Sequence, residues 1–216
     1  LPKDFLEGMR YVLPCASTNV SSFDLTCVHV TSKYIEACDR SQLARFNMKM
    51  PVQEECLVRR ESVRFLYTLD VTHINETRAW LHFRNRDGLI MSCRRFVENY
   101  QDISPILKET GEHVELPTNM EEAGKWADIF AQDNPDCLVT VSLRPNKMRI
   151  LGQSTEGKSV EYKKVRYAGP EISFGLPSQL LAALVKMNTR CVVNKRILKL
   201  KMGDNFTYVT ALNAVE

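Results

Sequence analysis

Apolar residues recur three or four apart along Leu1–Pro14 (LPKDFLEGMRYVLP) and again along Leu116–Phe130 (LPTNMEEAGKWADIF), so each stretch predicts a helix behind a Leu-Pro lead-in. After each helix the period changes to two. LTCVHVTSKYIEAC (Leu25–Cys38) alternates through Leu25, Cys27 and His29 and again through Tyr34 and Glu36, with Thr31-Ser32-Lys33 as a turn; LVTVSLRPNKMRIL (Leu138–Leu151) does the same around Pro145-Asn146. A second helix is expected at Arg59–Asp70 and at Pro177–Asn188. A hairpin closes each half, turning at Asp87-Gly88 in WLHFRNRDGLIMSCR and at Gly203-Asp204 in RILKLKMGDNFTYVTAL. The order helix, strands, helix, strands therefore occurs twice at an offset of roughly 113 residues, the signature of an internal duplication. Two helices cover only one face of such sheets, which predicts an α+β domain in two tandem copies, 1–110 and 111–216, parted where Gly111 and its charged neighbours interrupt the pattern.

Composition narrows the function classes without choosing among them. With 44% hydrophobic and 25% charged residues in 216, the chain reads as an ordinary globular protein. No apolar run approaches the roughly 20 residues that span a bilayer and no signal pattern opens the chain, so a soluble, cytoplasmic protein without a membrane partner is expected. The seven cysteines (Cys15, Cys27, Cys38, Cys56, Cys93, Cys137, Cys191) form no CxxC pair and mostly lie in apolar runs, where a reduced thiol serves as a small hydrophobe. The four histidines (His29, His73, His82, His113) are not at zinc-ligand spacing, and no Gly-rich phosphate loop is present; neither metal nor cofactor is expected. Triplets of glycosylation type at Asn19, Asn75 and Asn205 carry no weight in a reduced compartment. The net charge of +3 is too small to establish nucleic-acid binding, which depends on where the charges lie.

Four segments bear a family resemblance. EACDRSQLARFNM (Glu36–Met48) resembles a segment that usually reads ATDGHRLA in the middle domain of the beta subunit of bacterial DNA polymerase III, the DNA sliding clamp. SCRRFVENYQDISPIL (Ser92–Leu107) resembles the end of that domain. VRYAGPEISFGLPSQLLAAL (Val165–Leu184) and TYVTALN resemble parts of the C-terminal domain. The resemblance covers the whole chain and rests on order and spacing rather than on any one motif. It implies a DNA clamp fold, nucleoid-associated, that acts as a processivity factor in DNA replication and is not an enzyme. Such a protein encircles double-stranded DNA and tethers polymerase. The family carries three copies of the domain per chain; the match is to the second and third, so a first domain is expected to be missing here. Ring self-assembly is expected of the full-length protein. The 216-residue chain is expected to be mainly monomeric, with a ring trimer as the alternative.

The resemblance also implies two sets of site residues. On the helix ESVRFLYTLD, Val63, Leu66 and Leu69 form an apolar stripe while Arg60 and Arg64 lie opposite, with Arg59 at its start; alone this is a solvated basic face, and by resemblance it lines the DNA hole. Lys3, Arg10, Lys125, Lys186 and Arg190 are further DNA candidates, although Glu121, Glu122 and Asp128 make the lining uneven. Contacts to phosphate rather than to bases are implied, because base readout would trap a sliding ring. A groove for short peptides of polymerases and the clamp loader would draw on Leu25, Cys38, Arg40, Ser41, Gln42, Leu43, Pro105 and Ile106, and on Gln179, Leu198, Val209, Ala211 and Leu212. For Leu25, Leu43, Ile106 and Val209 plain core is an equally good reading. Asp39-Arg40-Ser41-Gln42 departs from the usual DGHR, which suggests a different peptide preference. The competing readings are a clamp-fold interaction module without ring function and a thiol-dependent hydrolase or transferase using Cys38 or Cys93.

Overall fold

The computed structural model describes residues 1–131 and 137–215. The chain forms two compact units, one of Leu1–Leu107 with Gly203–Tyr208, the other of Lys108–Met202 with Val209 onward. Both have the same α+β plan.

In the first unit the elements are α1 (Phe5–Val12), β1 (Cys27–Val30), β2 (Tyr34–Cys38), β3 (Gln42–Asn47), β4 (Cys56–Arg59), α2 (Arg60–Val63), α3 (Leu66–Leu69), β5 (His73–Glu76), β6 (Trp80–Arg84), β7 (Ile90–Arg94) and α4 (Ser104–Leu107). One antiparallel sheet runs β4-β1-β2-β3 and another β5-β6-β7. Helix α1 buries Phe5, Gly8, Met9 and Val12, the i, i+3, i+4, i+7 face that the pattern predicts, and lies on β2 and β3. The Phe5 ring stacks 5.9 Å from Phe83, and Phe206 joins this core 4.9 Å from Tyr11.

Two sequence expectations fail here. Leu25 belongs to a 3-10 turn ahead of β1, and β1 and most of β2 are buried on both faces instead of alternating. The second face is closed by a polar rung across three strands: Glu36 accepts from Arg45 at 2.6 Å and lies 2.8 Å from His29 Nδ1, while Tyr100 packs 4.8 Å from His29 and the Ser104 hydroxyl meets Arg45. A single helix over Arg59–Asp70 is also wrong. It is two one-turn helices broken at Arg64-Phe65, where the Phe65 N–H bonds the Ser62 carbonyl three residues back, tightening the turn, and Asp70 ends it in the left-handed region at φ 45°.

The second unit contains β8 (Glu112–Glu115), α5 (Met120–Ala131), β9 (Leu138–Arg144), β10 (Lys147–Gln153), β11 (Lys158–Lys164), β12 (Arg166–Tyr167), β13 (Ile172–Pro177), α6 (Ser178–Met187), β14 (Arg190–Val193), β15 (Ile197–Met202), β16 (Phe206–Ala211, shared with the first unit) and β17 (Asn213–Ala214). Its sheets run β11-β10-β9-β13-β17 and β12-β8-β14-β15. Alternation is faithful here: Val139, Val141 and Leu143 point inward with Met148, Ile150, Ile172, Phe174 and Leu176. Helix α5 meets this face with a stripe of small residues, and Gly152 takes the inward place after Ile150 where the backbones come closest.

A strand runs straight into a helix in both units. Arg59 (φ −59°, ψ 136°) leads into α2 and Pro177 (φ −56°, ψ 132°) into α6, so the second helix of each repeat starts with nearly identical backbone. The expected turns are also in place, with positive φ at Gly88, Asn146 and Gly203.

Candidate nucleic-acid and partner-binding surfaces

The candidate cations of the first unit are not equivalent. Lys3 and Arg10 are exposed around α1 with Glu7 exposed between them, and the Arg10 guanidinium sits 5.9 Å from the Tyr67 ring centre. Arg64 is exposed, 2.9 Å from Glu61 and 4.8 Å from the Phe65 ring. Arg60 does not share its face: it is half-buried, and its guanidinium donates to the Ala16 carbonyl. Arg59 is half-buried with its Nε enclosed and without a partner among the described residues. Three exposed cations, Lys3, Arg10 and Arg64, remain of the five expected.

In the second unit Lys125 and Lys186 are exposed on α5 and α6, at 3.3 and 3.2 Å from one carboxylate, Glu121. Hydrogen bonds from Lys186 and then Lys125 hold Glu121 below the usual carboxylate range. A phosphate approaching either lysine competes with that carboxylate. Arg190, expected near the last helix, lies past its end on a strand. Helix α6 ends at Met187, Asn188 is extended (φ −162°, ψ 145°), and Arg190 opens β14 with its side chain on the sheet. Sequence reasoning missed Trp126 and Ile129, both more than half exposed on α5 and off its buried stripe, a misfit already visible in the spacing.

The groove candidates divide into core and surface. In the first unit Leu25, Cys38 and Leu43 are buried. Arg40 (φ 76°) and Ser41 are exposed in a tight turn whose Asp39 carboxylate accepts from the Ser41 hydroxyl at 2.8 Å and from the Gln42 amide at 3.0 Å; Gln42 also accepts from Tyr208 at 2.9 Å. Pro105 and Ile106 are exposed on α4. In the second unit Leu198, Val209 and Leu212 are buried, and Gln179 and Ala211 are exposed. The surface-available members are therefore Arg40, Ser41, Pro105 and Ile106 on one unit and Gln179 and Ala211 on the other.

Neither proposed nucleophile has the setting of one. Cys38 is buried, its Sγ 3.2 Å from the Tyr100 hydroxyl and 3.0 Å from the Gln101 amide, and burial pushes its thiol up. Burial pushes Cys93 up to about 11. Cys27 and Cys56 are likewise pushed up to about 11 and Cys191 to about 12. At pH 8 a thiol of pKa about 11 is ionised in roughly one molecule per thousand. Iodoacetamide should therefore label half-buried Cys137 first and leave the other six until the chain unfolds, as peptide mass mapping would read. Rapid labelling of Cys38 or Cys93 would reopen the thiol-enzyme reading. Among the described residues no group of three or more His, Cys, Asp or Glu side chains could hold a metal ion, and no helix is long and apolar enough to cross a membrane.

No family model and no curated protein matches the sequence. Solved structures do. The DNA polymerase III subunit beta of Pseudomonas aeruginosa aligns with 100% of the chain at a TM-score of 0.85 and 15% identity, the chain covering 65% of that protein. The beta subunit from the DNA polymerase of Streptococcus pyogenes aligns over 100% of the chain and 65% of its own length (TM-score 0.84, 17% identity), and the Thermotoga maritima DNA polymerase III beta subunit does so over the same shares (0.83, 15%). The chain has the sliding-clamp fold and spans about 65% of the length of the structures it matches.

Proposed function

We propose, with the sliding-clamp fold as premise, that this chain tethers partner proteins to double-stranded DNA, holding the duplex through phosphates without reading sequence and presenting a site for short partner peptides. The observation that carries the reading is the fold itself, shared over the whole chain with DNA polymerase III beta subunits. Lys3, Arg10 and Arg64 on the first unit and Lys125 and Lys186 on the second are the cations offered to phosphate, and the exposed Pro105, Ile106, Gln179 and Ala211 belong to the partner site. Ring closure around DNA is part of this proposal.

One observation favours a second reading, a clamp-fold interaction module without ring function: two of the five surface cations share the single carboxylate Glu121, and Arg64 is held by Glu61. Duplex binding followed by fluorescence anisotropy over a salt series separates the two. Reversing Lys3, Arg10 and Arg64 to glutamate should weaken binding and flatten the log–log salt slope by about one unit per lost phosphate contact. Glu121→Gln, which frees both lysines, should strengthen binding and steepen the slope. If the folded protein does not bind duplex at low salt, or neither change moves the slope, the DNA reading falls and the module remains.

A further inference from the structure

The second unit carries a cationic depression on the outer face of its β12-β8-β14-β15 sheet, on strands and not on the helices that carry Lys125 and Lys186. Register builds it. Arg166 on β12 faces Glu115 on β8, which faces Arg190 on β14, which adjoins the Lys201 position on β15; the next row is His113, Val192 and Lys199. Strands lie about 4.8 Å apart and same-face residues about 6.5 Å apart along a strand, so these side chains form a grid the size of a short peptide. They surround a depression of about 500 Å³.

Its charge is unbalanced. Four cations line it against one carboxylate, and Glu115 is shared, 3.1 Å from Arg166 and 3.9 Å from Arg190. Lys201 has no ion-pair partner among the described residues. Lys199 is buried to 9% exposure with its ammonium on the Glu109 carbonyl, and burial together with Lys201 lowers its pKa, which marks a wall where positive charge is costly and an arriving anion relieves it. Between the cations lies an apolar surface, half-buried Val192 above buried Cys191.

We propose that this depression binds an acidic peptide segment, an apolar side chain seated on Val192 with carboxylates on either side, one toward Arg166 and Arg190 and one toward Lys199 and Lys201. The lining favours this over nucleic acid. Single strands are held by stacking bases on aromatic rings, and the only ring here is the His113 imidazole. A concave, partly apolar site with converging charges is instead what an anchored side chain needs.

The test uses the whole chain and a dye-labelled short peptide in which glutamates flank a central valine. Saturable binding that weakens as salt rises is expected. Arg190→Glu with Lys201→Glu, both at exposed positions, should weaken it at least about tenfold, and Val192→Ser should weaken it several-fold with charge unchanged. Circular dichroism confirms the fold of each variant, and Ile106→Asp, at an exposed position of the other partner site, should leave this binding intact. Absence of saturable binding, or equal affinity in the charge-reversed variant, overturns the proposal. An oligothymidylate bound in place of the peptide and lost in that variant overturns it in favour of a nucleic-acid site.

Discussion

Substituting Gly152 by alanine should destabilise the second unit by about 3 kcal/mol, near the top of the usual range for overpacking, and lower its melting temperature by roughly 10–20 °C. A Cβ built on Gly152 lies 2.1 Å from the Ala127 carbonyl oxygen and 2.7 Å from its Cα, so the obstacle is helix backbone and not the end of a flexible side chain. Glycine to alanine in an ordinary strand gains up to about 1 kcal/mol from the unfolded chain, and here the clash outweighs that gain because α5 must lift off the sheet to admit a methyl group. Gly203→Asn is the control. That glycine has φ +56° with open space around it, a conformation asparagine accepts, so its cost should be well under 1 kcal/mol. Thermal unfolding followed by Trp126 fluorescence and by calorimetry measures both. Equal melting temperatures for the two variants would mean that the helix yields, and that the close approach of α5 to β10 does not hold the unit together.

What the sequence disclosed and what it hid follow one physical rule. Turns and amphipathic helices are local, so Asp87-Gly88, Asn146 and the buried faces of α1 and α5 could be read from neighbours a few residues apart, and with them the α+β repeat. Register is not local. His29, Glu36 and Arg45 lie on three strands and meet only because β1, β2 and β3 pair as they do, so nothing in their spacing foretold a polar rung that buries β1 on both sides. The sheet-face grid of Arg166, Arg190 and Lys201 escaped notice for the same reason, with Arg190 grouped with the nearby helix although it opens β14. The site residues carried over from the resemblance met a third difficulty: a family position says which strand a residue occupies, not whether its side chain is free. Arg60 is spent on the Ala16 carbonyl and Leu25, Leu43, Leu198 and Val209 on the core.

Removing the Glu36 carboxylate should cost the first unit about 3–5 kcal/mol, because it leaves buried positive charge without its partner. Glu36 is 2% exposed, accepts from Arg45 and lies 2.8 Å from His29 Nδ1; with Glu36→Ala, Arg45 keeps, among the described residues, the Ser104 hydroxyl at 3.1 Å and the Tyr34 ring at 4.1 Å. Glu55, 3.6 Å from His29 Nε2, is mostly exposed and is screened by water, so it does not replace the lost carboxylate. The same physics gives the opposite expectation for removing the whole rung. Changing His29 to Leu, Glu36 to Met and Arg45 to Met together takes away three desolvated polar groups at nearly constant volume, and a buried ionic cluster replaced in this way is often neutral or stabilising. Urea unfolding of the single and triple variants decides the matter: the single variant should lose most of its stability while the triple stays within about 1 kcal/mol of wild type. A triple variant as unstable as Glu36→Ala would show that the rung supplies net stability. In that case its role in closing the second face of β1 and β2 could not be handed to hydrocarbon.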